Sequence, residues 1–386
     1  MERFDVAVVG LGALGSAAAY HASLKGAKVV GFEQFEFGHV RGASSDTSRI
    51  VRTSYGEPEY VALARSAYKD WADLERRTGQ ELLTITGGII FFPPNTGHKM
   101  FSIEGYTKSL DLNGVPYELL SAQEAKKRWP QFKVPENVEA VYTADSGIAH
   151  ASKSVSAMQF LARQHGAVLK ERTPVDRVTP DGAGTGVVIE TPKGKFHAKK
   201  VILATDAWTN KLLKPLKAEI PLDVMQEQVT YFRPKDSDLR SFEQDKFPVW
   251  IWGGVPSFYG FPSYGEPTIK AGRDTSYNRM TPEERTYIPS PELSKELQDF
   301  MSNTIPGKGE PMRTVTCQYT ITPDRQFIIS PLEKHKDVIV ALGAAHGFKF
   351  APAIGRAAAE LAIDGKSTND LSLFGVPKVA TPSSKL

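Results

Sequence analysis

The stretch that decides the fold is Gly10-Leu11-Gly12-Ala13-Leu14-Gly15, which follows the apolar strand pattern of residues 5–9. Small residues at positions 16–22 favour a helix directly after it, and a second apolar strand over residues 27–32 ends at Glu33. Strand, G-x-G-x-x-G, helix, strand and acid, in this order, form the fingerprint of a dinucleotide-binding βαβ unit. The sequence therefore predicts a Rossmann-type nucleotide site at the start of the chain.

Each part of this fingerprint has a physical reason. Gly10 makes the tight turn, Gly12 lets the backbone approach a pyrophosphate, and Gly15 lets the helix pack closely on the strand. The helix start, Ala13-Leu14, directs unpaired N–H groups and a partial positive charge at the phosphates. Glu33 stands where a carboxylate accepts the hydroxyls of the adenosine ribose. The fingerprint by itself does not distinguish NAD from FAD.

Length and composition limit the classes of protein that the chain can belong to. Its 386 residues fit two domains better than one core. With 41% hydrophobic and 24% charged residues, it is neither a disordered chain nor a collagen-like or coiled-coil protein. No run reaches the roughly 18 apolar residues of a membrane helix, and the net charge of +3 comes from scattered residues. We therefore expect no membrane or nucleic-acid partner and, since the eight histidines lack metal-site spacing, no metal.

Hydrophobic periodicity outlines the rest of the fold. Residues 54–77 have helical spacing, with one apolar face formed by Tyr60, Leu63, Ala67, Trp71 and Leu74. Further patterns predict a helix at 152–164, an antiparallel sheet over 221–264, and strands at 87–92, 167–170 and 186–190. A last strand at 338–343 leads through a glycine turn into a helix at 351–363, so the chain returns to its first domain. The predicted domains are a discontinuous nucleotide domain of residues 1–80, 145–220 and 320–386, and an inserted domain of residues 81–144 and 221–319.

Four separated motifs point to one family. They are the glycine-rich opening, Ser48-Arg49-Ile50-Val51-Arg52, Thr316-Cys317-Gln318-Tyr319-Thr320 with Pro323-Asp324, and Gly343-Ala344-Ala345-His346-Gly347-Phe348-Lys349-Phe350. Together they resemble the monomeric sarcosine oxidase family, which includes pipecolate, N-methyltryptophan and fructosyl-amino-acid oxidases. The resemblance covers nearly the whole chain and implies an α/β fold, with an FAD-binding Rossmann-type domain and an α+β substrate domain on a mixed sheet. A strand pattern over 200–208 that ends in Ala-Thr-Asp also resembles a flavin-contacting strand.

The resemblance implies roles for several residues. Cys317 matches a cysteine that the family joins through sulfur to the flavin, and Lys270 matches a lysine over the flavin ring that assists oxygen reduction. Arg49 matches a basic residue that favours the reduced flavin anion. Arg52 and Lys349 match the groups that bind the substrate carboxylate. Other implied contacts are Tyr259 and Tyr319 with the substrate, and Ser45, Thr47, Ser48, Gly347 and Phe348 with the cofactor.

Departures from the family pattern concern the substrate. Ser44-Ser45-Asp46-Thr47 stands where simple sarcosine oxidases tend to carry a histidine, and Asp274 stands where a pocket histidine is common. An acid facing the pocket could pair with a second amino group of the substrate. We therefore expect a substrate that is larger or more cationic than sarcosine.

These observations predict an FAD-dependent oxidase of secondary amino acids, N-substituted or cyclic, that uses oxygen and releases an imine or aldehyde and hydrogen peroxide. L-pipecolate or saccharopine oxidase, fructosyl-amino-acid oxidase, an NAD-linked dehydrogenase and a nucleotide-binding module stay open as alternatives. Ser384-Lys385-Leu386 matches the peroxisomal address, so recognition by the peroxisomal import receptor is expected. The resemblance also implies a monomer.

Overall fold

The computed structural model describes residues 1–94, 102–182 and 184–377. Within these ranges the chain forms two large β-sheets, a small three-stranded sheet and eight α-helices. This mixed α/β architecture confirms the predicted fold class. The tripeptide Ser384-Lys385-Leu386, predicted to be a peroxisomal signal, lies outside the described residues.

The first large sheet contains the glycine-rich fingerprint. Strand β1 (Glu2–Val9) pairs in parallel with β2 (Val29–Phe32) and β12 (Gly194–Leu203), and β12 pairs in parallel with β19 (Val338–Leu342). Its other strands are β9 (Val168–Lys170), β10 (Arg177–Pro180), β11 (Val187–Thr191) and β18 (Ile328–Pro331). Because the central strands are parallel, their carboxyl ends meet at one edge, where α/β folds place ligands.

Helices rich in small residues cover this sheet. Helix α1 (Ala13–Leu24) packs closely on α5 (Ala151–Gln164) and α8 (Ala351–Ile363). A Cβ at Gly355 of α8 would lie 2.3 Å from the Cβ of Ala17, so a glycine there allows the two helices to touch. This contact ties the last helix of the chain to the fingerprint, as the sequence predicts.

Helix α2 (Pro58–Thr78) confirms the predicted apolar face. Each residue of that face is at most 2% exposed: Tyr60, Leu63, Ala67, Trp71 and Leu74. The helix begins four residues later than the pattern suggests, since Glu57 is extended and Pro58 occupies the first helical turn. Proline disfavours a helical conformation in the residue before it, so the apolar spacing extends further than the helix itself.

The second large sheet is mixed and carries an aromatic core. Its strands, in spatial order, are β17 (Glu310–Ile321), β13 (Asp223–Arg233), β16 (Ile269–Asp274), β15 (Ser257–Phe261), β14 (Val249–Trp252), β5 (Gly88–Phe92), β7 (Glu139–Thr143) and β6 (Glu118–Ser121). All neighbouring pairs are antiparallel except β14 and β5, which are parallel. Phe91, Phe132, Phe247 and Trp250 pack against Met301 of α7 (Pro291–Thr304) in one buried cluster.

The remaining elements are α3 (Ile103–Leu112), α4 (Ala122–Arg128), α6 (Thr209–Leu213) and the small sheet of β3 (Ser48–Val51), β8 (Gly147–His150) and β4 (Leu83–Ile85). The small sheet positions the loop before β3, which carries many of the predicted site residues. Strands of the second large sheet fall within residues 81–144 and 221–319, apart from the end of β17. The domain boundaries themselves stay a prediction.

Candidate active site

A continuous cleft runs from the glycine turn of the first sheet to the face of the second sheet. It contains about 2280 Å³ of space, part of which is open to solvent. All predicted site residues except the import signal lie in the described ranges, and all of these except Gly15 and Thr47 line the cleft. Those on its wall are Gly10, Gly12, Ala13, Leu14, Glu33, Ser45, Ser48, Arg49, Arg52, Tyr259, Lys270, Asp274, Cys317, Tyr319, Gly347, Phe348 and Lys349. The fold therefore gathers residues from both ends and the middle of the chain.

The glycine turn places the start of α1 at this cleft. Gly10 has a φ of +85°, and a Cβ there would lie 2.4 Å from the carbonyl oxygen of Ala204. A Cβ at Gly15 would lie 1.8 Å from the carbonyl oxygen of Gly10, so Gly15 acts through packing rather than by lining the cleft. These two short distances exclude a side chain at Gly10 and at Gly15, because real Cβ atoms do not come so close to backbone oxygen.

Ser44 completes the start of α1 and was not among the predicted site residues. Its hydroxyl accepts a hydrogen bond of 2.9 Å from the N–H of Ala13, one of the unpaired donors at a helix start. The two residues are 31 positions apart, so no local spacing connects them. A serine among several serines gives no signal by which the sequence could single it out.

Glu33 lies at the end of β2 and is 5% exposed. Its two carboxylate oxygens accept hydrogen bonds from the N–H groups of Leu11 at 3.0 Å and Phe35 at 3.1 Å, and His39 lies 3.4 Å away. Burial works against the charge, but His39 and the two N–H donors keep the pKa of Glu33 below its ordinary value. A fixed carboxylate therefore stands on the cleft wall, and its contact with a ribose stays a prediction.

Several residues of the second sheet line the cleft, among them residues two or four apart on one strand, which share a face. From β15 comes Tyr259, from β16 come Lys270 and Asp274, and from β17 come Cys317 and Tyr319. The hydroxyls of Tyr259 and Tyr319 lie 3.4 Å apart. The predicted substrate and flavin residues of the second domain thus form one wall.

Lys270 is buried in that wall, with 4% of its side chain exposed. Its ammonium group donates hydrogen bonds to Asp46 Oδ2 at 3.0 Å and to the carbonyl of Ser48 at 2.8 Å. The same nitrogen lies 4.2 Å from the centre of the Phe261 ring. Burial lowers the pKa of Lys270 to about 8, although Asp46 favours the charged form.

Arg49 organises the loop before β3. Its guanidinium group donates to the carbonyls of Ala43 at 3.0 Å, Ser45 at 2.6 Å and Ser48 at 2.9 Å, and lies 3.4 Å from Asp46 Oδ2. Asp46 was not among the predicted site residues, since the sequence showed it merely as a departure from the family pattern. The structure makes it a central member of the site.

Thr47, a predicted cofactor residue, points elsewhere. Its hydroxyl lies 3.3 Å from the hydroxyl of Tyr231, on β13, and 3.4 Å from Asp46 Oδ1. Thr47 therefore supports Asp46 and the second sheet rather than the cleft wall.

Cys317 is partly exposed on the wall, near Arg49 and Arg285. Burial raises the pKa of its thiol to about 11, while the two arginines favour the thiolate. Its cross-strand partner in the sheet register is Glu227, which also disfavours a negative sulfur. The thiol is therefore protonated near neutral pH and open to the cleft.

Arg52 and Lys349 lie at the same end of the cleft. Arg52 donates to the carbonyl of Ser54 and stacks 3.9 Å from the centre of the Tyr55 ring, and Lys349 donates to the carbonyl of His346 at 2.9 Å. In residues 1–94, 102–182 and 184–377, neither cation is in salt-bridge contact with a carboxylate. Burial, and then the nearby Arg52, keep the pKa of Lys349 well below its ordinary value, so an anion between the two cations would be stabilised.

Asp274 has a partner that the sequence did not indicate. Arg325 donates hydrogen bonds to its two carboxylate oxygens at 3.0 and 3.3 Å. The carbonyl of Arg325 lies 3.2 Å from Nε2 of His346, whose pKa burial and then Lys349 keep well below its ordinary value. The predicted acid is thus on the cleft wall, but its charge is already compensated by an arginine on the loop after β17.

The wall fits a dinucleotide cofactor that carries a flavin. The glycine turn and α1 start form the phosphate end, Glu33 offers an acceptor, and Cys317 stands at the other end. Next to Cys317, the side-chain amide of Gln318 donates to Asp206 at 3.2 Å, and its buried amide oxygen has no hydrogen-bond partner among the described residues, so it offers an acceptor to a ligand N–H. No group of three or more His, Cys, Asp or Glu residues in the described chain is placed to hold a metal ion.

A family model described as FAD dependent oxidoreductase matches residues 5–361. The chain belongs to this family. It is 34% identical to the monomeric sarcosine oxidase of Bacillus sp. (strain B-0618), over 99% of this chain and 98% of that protein. It is 30% identical to the peroxisomal sarcosine oxidase of Homo sapiens, over 98% of this chain and 96% of that protein. The predicted recognition and the predicted oxidoreductase class are both confirmed, with FAD rather than NAD as the cofactor of the family.

Comparison with solved structures agrees with the assignment of this chain to the family of FAD-dependent oxidoreductases. NikD, an amino acid oxidase essential for nikkomycin biosynthesis, superposes in its open form with a TM-score of 0.86 at 26% identity, over 99% of both chains. L-proline dehydrogenase from P. horikoshii superposes with a TM-score of 0.84 at 23% identity, over 97% of both chains, and shows the fold alone. Among the described helices, none is long and apolar enough to cross a membrane.

Proposed function

We propose that this FAD-dependent oxidoreductase oxidises secondary amino acids with oxygen and releases hydrogen peroxide. One observation carries the proposal: two cations, Arg52 and Lys349, stand at the cleft without a carboxylate partner in the described residues, on the wall that also holds Lys270 and Cys317. The N-methyl-L-tryptophan oxidase of Salmonella heidelberg (strain SL476), 29% identical over 96% of this chain, supports an N-substituted amino acid as substrate.

The two cations bind the substrate carboxylate in different ways. Arg52 offers a planar fork of N–H donors, and the Tyr55 ring beneath it restricts its orientation. Lys349 adds a point charge, and its backbone carbonyl is fixed by the indole N–H of Trp71 at 2.9 Å. Because burial and mutual repulsion disfavour two positive charges here, a bound carboxylate stabilises both of them.

The same charges select the protonation state of the amine. Arg52 and Lys349 line the cleft without a carboxylate partner in the described residues, so a protonated amine beside them is disfavoured relative to a neutral amine. A neutral amine carries the lone pair that drives loss of hydride from the adjacent carbon. Bound FAD would supply the hydride acceptor and the two-electron route to oxygen, with hydrogen peroxide as the product. Water then hydrolyses the resulting imine.

We further propose that Cys317 holds the flavin covalently through a thioether. The thiol lines the cleft in the Cys-x-Tyr-Thr setting of β17, and Arg49 and Arg285 partly offset the burial that raises its pKa. Acid precipitation tests the attachment: a yellow pellet supports it, and a yellow supernatant over a colourless pellet contradicts it.

The substrate is larger than sarcosine in this proposal. Asp274 lines the cleft together with Tyr319 and is paired with Arg325, so it offers a polar contact that suits a substrate with a polar distal group. Pipecolate, saccharopine and fructosyl-amino acids are therefore the alternatives to compare with simple N-methyl amino acids.

A peroxide-coupled screen tests the function. Sarcosine, N-methyl amino acids, L-pipecolate, L-proline, saccharopine and fructosyl-lysine are compared by kcat/KM. Peroxide from at least one secondary amino acid, and none from the amine that lacks its carboxylate, supports the proposal. A yellow, folded protein that gives no peroxide with any of them contradicts it, and fastest turnover of sarcosine contradicts the larger pocket.

We also propose import into peroxisomes through Ser384-Lys385-Leu386, supported by the name of the human relative. Fluorescent fusions that expose or lack this tripeptide at the carboxyl terminus test the proposal. Peroxisomal fluorescence that persists without the tripeptide contradicts it.

A further inference from the structure

The carboxylate of Asp46 joins two cations of the site to the second sheet. Oδ2 accepts from Lys270 at 3.0 Å and lies 3.4 Å from Nη1 of Arg49. Oδ1 accepts from the hydroxyl of Tyr231 at 2.6 Å and from the N–H of Thr47 at 2.7 Å. One oxygen therefore contacts the two cations and the other accepts hydrogen bonds from neutral donors, so the orientation of the carboxylate is fixed.

The backbone at Asp46 is held in an unusual conformation. Its φ is +96°, in the region that favours glycine, and conformations of this kind cost of order 1–3 kcal/mol. Such conformations persist where the surrounding contacts hold the residue in place. The four contacts of the Asp46 carboxylate have this effect here. The positive φ thus occurs at a loop residue whose carboxylate connects the segment before β3 to β16.

Lys270 depends on this contact for its position. In the part of the chain that the structure describes, its hydrogen bonds go to Asp46 and to the carbonyl of Ser48. An ammonium group has three N–H donors, so one is left for the cleft. The Phe261 ring covers the nitrogen from one side and blocks solvent from replacing a lost partner.

We propose that Asp46 is a positioning residue that holds Lys270 protonated and directed at the cleft for the reaction with oxygen. The inference rests on the proposed function, since it assigns Asp46 to the oxygen step of that reaction. Reduction by the amine does not need Asp46, because Arg52 and Lys349 bind the carboxylate at another part of the wall.

Charges around Lys270 determine the expected effect of pH. The pKa of Lys270 lies at about 8, because burial and Arg49 lower it more than Asp46 and Cys317 raise it. Tyr231 also faces the pair, with its ring 5.7 Å from the lysine nitrogen. Burial opposes the charge of Asp46 too, but Lys270 and Arg49 hold the pKa of that carboxyl well below its usual range. Loss of the carboxylate charge therefore lowers the pKa of Lys270, and the protonated form disappears at a lower pH.

Stopped-flow kinetics of the holoenzyme test the proposal with Asp46→Asn and Asp46→Gly. Asparagine keeps an acceptor for Tyr231 and Thr47, and glycine suits the positive φ. Asp46→Gly therefore still tests the proposal if Asp46→Asn does not fold. Anaerobic reduction by the best amine is expected to stay within about twofold, while reoxidation by oxygen falls by about tenfold or more. The upper pH limit of reoxidation is expected to move to lower pH.

A second readout does not depend on activity. Competitive acetylation of Lys270, followed by mass spectrometry across pH, reports its pKa in the purified protein, and this pKa is expected to fall in Asp46→Asn. Asp70→Asn is the matched control, because Asp70 pairs with Arg356 at 3.0 Å away from the cleft. Asp70→Asn is expected to leave anaerobic reduction, reoxidation by oxygen and the pKa of Lys270 unchanged.

Two results overturn the inference. One is reoxidation and Lys270 labelling in Asp46→Asn that match the unmodified enzyme, and the other is an equal loss of both half-reactions. A wild-type enzyme that is not reduced by any secondary amino acid contradicts the proposed function instead.

Discussion

The indole N–H of Trp71 donates a hydrogen bond of 2.9 Å to the backbone carbonyl of Lys349. Trp71 is fully buried on α2, so this bond fixes a loop of the cleft to a helix of the first domain. The neighbouring Phe348 ring stacks on the indole, 6.5 Å between ring centres. The backbone position of Lys349, the proposed substrate-binding cation, is thus fixed by a core residue outside the cleft.

Trp71→Phe is expected to raise KM for the amino acid by about two- to tenfold, since one hydrogen bond of about 0.5–1.5 kcal/mol is lost. Steady-state kinetics and thermal unfolding measure the two effects separately. Trp129→Phe is the control, because Trp129 is buried in the other core, away from the cleft. If both variants lose a similar amount of stability and keep an unchanged KM, Trp71 does not position Lys349 for substrate binding.

Lys349→Met is expected to raise KM for carboxylated amines by about 10- to 100-fold, because a charge-assisted hydrogen bond contributes about 1.5–3 kcal/mol. Lys308→Met is the matched control. Lys308 is 8% exposed, donates to the carbonyl of Gly309 at 3.0 Å and does not line the cleft. If the two variants have the same KM, the carboxylate is bound elsewhere.

Cys317→Ser is expected to release its flavin on acid precipitation, since serine cannot form the thioether. The measurement is absorbance of the supernatant beside that of the unmodified protein, together with in-gel fluorescence after denaturation. Flavin that stays with the denatured serine variant places the covalent bond at another residue.

Gly15→Ala is expected to destabilise the protein by about 3 kcal/mol or more, because its Cβ would lie 1.8 Å from the carbonyl oxygen of Gly10 and force the backbone apart. Gly375→Ala is the control, since a Cβ there would meet no heavy atom within 4 Å. Denaturant unfolding compares the two variants. Equal free energies of unfolding would show that the glycine turn tolerates a side chain.

His21 makes stability depend on pH. It is 7% exposed on α1, its Nε2 has no hydrogen-bond partner among the described residues, and burial lowers its pKa to about 3. Between pH 6.5 and about 3 the unfolded chain binds a proton that the folded chain does not. The free energy of unfolding therefore falls with decreasing pH, by at most about 1.4 kcal/mol per pH unit from this group.

His21→Leu is expected to weaken that dependence, which thermal unfolding at pH 7 and pH 4.5 measures. The comparison is the difference between the two melting temperatures in each protein. The same difference in the variant and the unmodified protein would assign the acid sensitivity to other groups.

Local patterns determined much of this protein. The order of strand, glycine turn, helix and acid predicts the first βαβ unit, and the spacing of Tyr60, Leu63 and Trp71 predicts a helix face that is buried in the structure. Such features follow from the periods of helices and strands and from steric limits at glycine, which act between near neighbours in the chain. The family motifs are likewise short segments in which the predicted site residues have a fixed spacing.

Only the tertiary structure decided which distant polar groups meet. Asp46 and Lys270 are 224 positions apart, Asp274 and Arg325 are 51 apart, and Ser44 and Ala13 are 31 apart. No spacing in the sequence connects the members of these pairs. Packing of the β3 loop against the second sheet brings Asp46 to Lys270, and burial makes that pairing necessary, because a charge removed from water needs a partner.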